Sequence, residues 1–169
     1  MPDHILERRV WLPRPRAEVF EFFADARNLA RIHPAWARPR WITSPPTPLA
    51  AGAILDFRSA WLPGRWRVMI REFDPPYRVV DAQLRGPFAR WEHRHRFVEG
   101  PEQERDGAPS TTGTTTGATP LGTWVEDRVT YRLPGAALGR LAHALGAGRR
   151  IQRLFDHRDR RLRELFARR

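Results

Sequence analysis

From Gly52 to Leu133 apolar residues tend to recur at every second position, and the runs are cut by turns too short to carry a chain across a sheet. This pattern commits most of the chain to antiparallel strands, because parallel neighbours need a crossover of a dozen or more residues. Residues 53–61, 65–73, 77–85 and 88–98 are successive strand candidates, separated by Leu62-Pro63-Gly64, Asp74-Pro75-Pro76 and Gly86-Pro87. Residues 123–133 form the last, ended by Pro134-Gly135, and HILERRVWLP forms the first, stopped by Pro13.

Two helical patterns interrupt or close this meander. In PRAEVFEFFADARNLARIH, Val19, Phe20, Phe23, Leu29 and Ile32 fall at helical spacing behind Pro15, predicting two short helices broken near Asp25 to Asn28. Trp36 and Trp41 flank a proline-containing connector, and ITSPPTPLAAG reads as a turn-rich loop. Residues 136–166 carry Leu138, Leu141, Leu145, Ile151, Leu154, Phe155, Leu162, Leu165 and Phe166 at spacings of three, four and seven. That predicts one amphipathic rod of about 45 Å, with Gly146 and Gly148 as weak points for a kink. Residues 101–122 are Thr, Gly and Pro without apolar period, and are expected to be a mobile hairpin tip inserted between strands.

A chain of 169 residues argues for a single domain over 1–169, and seven Trp with nine Phe supply ample core. All 30 basic residues are Arg. The absence of Lys removes Schiff-base catalysis and the lysine-containing phosphate loop. The absence of Cys removes disulfides, thiol nucleophiles and Cys-ligated metals. No secretion signal or membrane-length apolar run is present, so a soluble, cytoplasmic protein is expected. The net charge of +11 is spread through every segment, so no nucleic-acid partner is expected. The Arg-rich final helix suits transient contact with anionic membrane headgroups.

The elements thus make an α+β layer in which a curved sheet buries its apolar face against the last helix, and the gap between them is the natural ligand cavity. Strand alternation aims Trp66, Val68 and Ile70 inward, then Trp91, His93, His95 and Phe97, then Val125, Asp127, Val129 and Tyr131. From the helix, Leu154, Phe155 and Arg158 face the same space, and Arg158 is expected to pair with Asp127. Burial of apolar ligand surface would drive binding, and the polar members of this set would orient the ligand.

His93 and His95 are the candidate general acid/base groups. With Asp127 they also have the composition of a two-His, one-carboxylate metal site. The plainer reading makes them hydrogen-bonded polar groups of the cavity wall, so neither a metal nor a cofactor is assigned.

The runs GPFARWEHRHRF, GTWVEDRVTYRLP and FDHRDRRLREL, with the helix start PRAEVFEFFAD, resemble the helix-grip proteins of the START and birch-pollen-allergen (SRPBCC) superfamily, in its polyketide cyclase/dehydrase-like branch. The resemblance spans almost the whole chain apart from residues 101–122. It implies a seven-stranded antiparallel sheet gripping the C-terminal helix, two short helices between strands one and two, and a hydrophobic cavity. It implies as function the binding of a lipid, quinone, polyketide-like or other aromatic molecule. The alternative is an aromatic polyketide cyclase or dehydratase using a cavity histidine.

Overall fold

The computed structural model describes residues 3–102, 121–135 and 146–167. The strands are β1 (His4–Leu12), β2 (Pro39–Trp41), β3 (Ile54–Ser59), β4 (Leu62–Asp74), β5 (Arg78–Arg85), β6 (Arg90–Pro101) and β7 (Leu121–Arg132). They form one antiparallel sheet in the order β1-β7-β6-β5-β4-β3-β2. The sequential strands β2 to β7 are joined as a meander, and β1 returns to the far side of β7. Between β1 and β2 lie α1 (Arg16–Phe23), a 3-10 turn (Ala26–Asn28), α2 (Leu29–Ile32) and a second 3-10 turn (Ala35–Ala37).

The predicted break between the two short helices is where Asp25 accepts a hydrogen bond from the backbone of Arg27, which starts the first 3-10 turn. The strand that periodicity did not reveal is β2. Three residues led by a proline show no alternation, and their pairing with β3 is set by tertiary packing.

The C-terminal helix α3 is described over Gly148–Ala167. The first part of the rod expected from residue 136, residues 136–145, lies outside the described residues. Gly146, one of the two glycines expected as weak points, sits at φ +134°, where an L side chain is strained. The face turned to the sheet carries Ile151, Leu154, Phe155, Arg158, Leu162 and Phe166, all buried. No described helix is long and apolar enough to cross a membrane.

At the base of the predicted insertion Gly100 pairs with Gly122 and Pro101 with Leu121. The insertion expected over residues 101–122 thus has paired strand residues at both ends, and its residues 103–120 lie outside the described residues. There Trp11 and Trp124 donate their indole N–H groups to the carbonyls of Gly100 and Pro101, each at 3.0 Å. At the other end of the short-helix layer, Phe20 and Phe23 of α1 pack edge-on against Phe97. These rings pack the space between α1 and the sheet, and none of them lines the cavity described below.

Candidate functional site

Strand register assembles the polar centre of the sheet. In the β5–β6 ladder Asp81 stands opposite His93, and in the β6–β7 ladder His95 stands opposite Asp127. Residues two apart on β6 share a face, so His93 and His95 lie side by side with ring centroids 4.0 Å apart. Asp127 takes both: His93 Nε2 is 3.1 Å from its Oδ1, and His95 Nδ1 is in close contact with the same oxygen. His93 Nδ1 faces Asp81 Oδ2 at 3.7 Å.

Burial opposes ionisation of Asp127, but His95, Arg158 and the hydrogen bond from His93 outweigh it and hold the carboxyl well below its ordinary range. An ionised carboxylate accepts, so His93 donates through Nε2 and keeps its lone pair on Nδ1, the side of Asp81. Burial, followed by the neighbouring His95, brings the His93 imidazole down to about 3, and the ring is neutral at neutral pH. Burial lifts the Asp81 carboxyl to about 6 despite the pull of His95 and Arg158.

The expected Asp127–Arg158 ion pair is not formed; the two histidines lie on Oδ1 of the carboxylate, and Oδ2 has no hydrogen-bond partner. Arg158 is only 3% exposed, and its Nε and Nη2 have no hydrogen-bond partner. Its guanidinium carbon sits 4.8 Å from the Phe155 ring centroid, a cation–π contact that leaves the N–H fork unused.

Beside this cluster is a cavity of about 80 Å³, walled by Trp66, Val68, Trp91, Leu154, Phe155 and Phe57 and carrying Asp81, His93 and Arg158 as polar groups. Of the side chains expected to face a ligand, Trp66, Val68, Trp91, His93, Leu154, Phe155 and Arg158 therefore meet in one wall. His95 and Asp127 stand behind His93, while Ile70, Phe97, Val125, Val129 and Tyr131 are buried along the rest of the sheet. Asp81, Phe57 and His33 complete the site without having been singled out in the sequence. For Asp81 the signal was available: alternation in β5 puts it on one face with Val79 and Gln83.

A second, outer groove of about 670 Å³ runs along α3 and is lined by Trp36, Arg149, Arg150, Arg153, His157 and Arg160, among others. Arg150 stacks over both Trp36 and Trp61, whose rings meet edge-on. Trp61 also belongs to the inner cavity wall, so this stacked group stands between the two spaces.

Among solved structures the chain is similar to a Thermus thermophilus protein, with 20% identity, 95% of this chain and 97% of the other covered, and a TM-score of 0.60. It is similar to norcoclaurine synthase from Thalictrum flavum, in complex with a transition-state analogue, at 10% identity, 96% coverage of each chain and a TM-score of 0.59. A Chromobacterium violaceum protein matches at 13% identity, 96% coverage of each chain and a TM-score of 0.58. At these identities the likenesses establish the fold alone. No curated protein matches the sequence. Residues 12–156 match the family described as polyketide cyclase / dehydrase and lipid transport. The helix-grip resemblance of the sequence is thereby confirmed, and the chain belongs to the polyketide cyclase/dehydrase and lipid transport family, a family of small-molecule ligand-binding domains.

Proposed function

We propose that the protein binds a hydrophobic, aromatic small molecule bearing an anionic oxygen, a carboxylate or phenolate, which docks on Arg158. The observation that carries this reading is the buried Arg158 fork with two unused donors at a cavity of Trp, Phe and Leu side chains. A buried guanidinium without an acceptor is costly, and a ligand oxygen is the acceptor such a position lacks. The aromatic wall favours a flat ring through apolar burial, worth about 25 cal/mol per Å².

The test is calorimetric titration with paired aromatic probes, a naphthoic acid against its neutral amide. Arg158→Met should erase the preference for the acid, a loss of about ten- to a hundredfold if the charge-assisted bond is worth about 1.5–3 kcal/mol. Equal affinity of the unaltered protein for acid and amide would remove Arg158 from the reading. Native mass spectrometry of protein from its own host should show a co-purifying aromatic molecule.

One feature favours a second reading, a cyclase or dehydratase. Asp127 orients His93 so that its Nδ1 lone pair is left for proton abstraction at the cavity. Turnover of a bound polyketide-like substrate that disappears in His93→Gln would establish it. Unchanged binding in that variant, with no turnover by the unaltered protein, would remove it.

A further inference from the structure

We propose that Asp81, His93 and His95 form a three-ligand site for a divalent first-row transition ion, with zinc the ion suited to the donor set. In this arrangement Asp127 holds both imidazoles from behind. This goes beyond small-molecule binding and does not depend on it.

The ligand atoms of the three residues all lie within 4.8 Å of one another. Zinc bonds of about 2.0–2.2 Å at tetrahedral angles place ligand atoms about 3.3–3.5 Å apart. The His93 Nδ1 to Asp81 Oδ2 separation of 3.7 Å is already close to that spacing. A separation at the 4.8 Å limit needs about 1.3–1.5 Å of closure to reach that spacing.

The donors come from two neighbouring strands of a hydrogen-bonded sheet, so their spacing is fixed by the ladder and not by a loop. Two features distinguish the cluster from polar groups that merely satisfy one another. The first is the role of Asp127, which bonds His93 through Nε2 and lies against Nδ1 of His95. Those contacts leave His93 Nδ1 and His95 Nε2 as the nitrogens with free lone pairs. A carboxylate behind a metal-binding imidazole is the usual way such rings are oriented.

The second is charge. Two carboxylates, Asp81 and Asp127, share this buried region, and among the described residues the guanidinium acting on both is that of Arg158. Arg158 forms no ion pair with either, so a bound cation would supply charge that no arginine supplies directly. Asp81 and His93 line the cavity, so the open coordination position faces it, as in sites where three protein ligands leave room for a fourth.

The experiment uses full-length protein stripped with a chelator and titrated with Zn²⁺ by calorimetry and with Co²⁺ by visible absorption. The expected result is one-to-one binding, a raised melting temperature with Zn²⁺, and ligand-field bands with Co²⁺. Asp81→Asn and His93→Gln should each abolish the one-to-one event. Asp127→Asn should weaken it by about 10- to 100-fold while keeping the stoichiometry, as expected of a positioning residue. No binding by the stripped, unaltered protein would overturn the proposal. So would equal binding by all variants, which would place the ion on surface histidines such as His4 or His157.

If the variants fail to fold, the unaltered protein still decides. Zinc-edge anomalous density between the three side chains supports the site, and density elsewhere, or none, refutes it. Titrating the aromatic probes into the stripped protein keeps failure of this site separate from failure of the ligand reading.

Discussion

At the scale of single residues the site is a set of polar groups moved away from their behaviour in water, and pH exposes them. The His33 ring donates through Nδ1 to the Leu29 carbonyl at 2.7 Å and packs in the cavity wall. Desolvation, then the charge of Arg158, brings it down to about 3, with His157 pushing the same way. The unfolded chain binds this proton near pH 6.5 and the folded chain does not. The associated stability is therefore fully present above pH 6.5 and is lost as pH falls towards 3, at up to about 1.4 kcal/mol per pH unit. His93 adds a loss of the same sign in the same window. Denaturant midpoints measured between pH 7 and pH 4 should fall less steeply for His33→Gln than for the unaltered protein. Parallel curves would show that His33 protonates freely in the folded state.

At the scale of elements two close approaches set the geometry. A Cβ on Gly122 would lie 2.4 Å from the Leu12 carbonyl oxygen and 2.5 Å from the Trp11 ring, where β7 meets β1. Gly122→Ala should cost about 1–3 kcal/mol, as overpacking does, and should disturb the indole bond from Trp11 to Gly100. Thermal unfolding with near-ultraviolet circular dichroism would register both effects. In α3, Leu162 is completely buried, and Leu162→Ala should cost about 2–5 kcal/mol by denaturant unfolding.

The elements were also the most readable level of the sequence. Alternation in β4, β6 and β7 placed Trp66, His93 and Asp127 inward, where each is buried. The pairing around Asp127 was not readable, because it depends on which residues of β5, β6 and β7 stand opposite one another. Register adds two histidines to that carboxylate and leaves Arg158, the partner that spacing alone offered, with unused donors. Alternation in β5 could have placed Asp81 on the face it shares with Val79 and Gln83, but its pairing with His93 comes from register.

At the scale of the whole molecule the inner space is small for a family of small-molecule ligand-binding domains. About 80 Å³ is well below the roughly 300–1,000 Å³ of ordinary ligand pockets. Binding of a molecule larger than one ring therefore requires α3 or the segment around Trp36 to move away from the sheet. Association should accordingly be slow compared with encounter. Amide exchange in residues 29–37 and in the first turns of α3 should slow when ligand is bound. Unaltered exchange there alongside tight binding would place the guest in the outer groove lined by Arg149, Arg153 and Arg160.

Among the described residues the curled sheet has two unpaired margins, β1 and β2, and both are poor templates for another chain. The β2 margin is three residues long and begins with a proline, so it can receive almost no ladder. The β1 margin carries Glu7, Arg8 and Arg9 in succession, and Arg8 is tied to Asp156 of α3 at 2.9 Å. Charge at one border and brevity at the other guard this aromatic-rich protein against edge-to-edge aggregation, a protection it needs whenever its interior is opened.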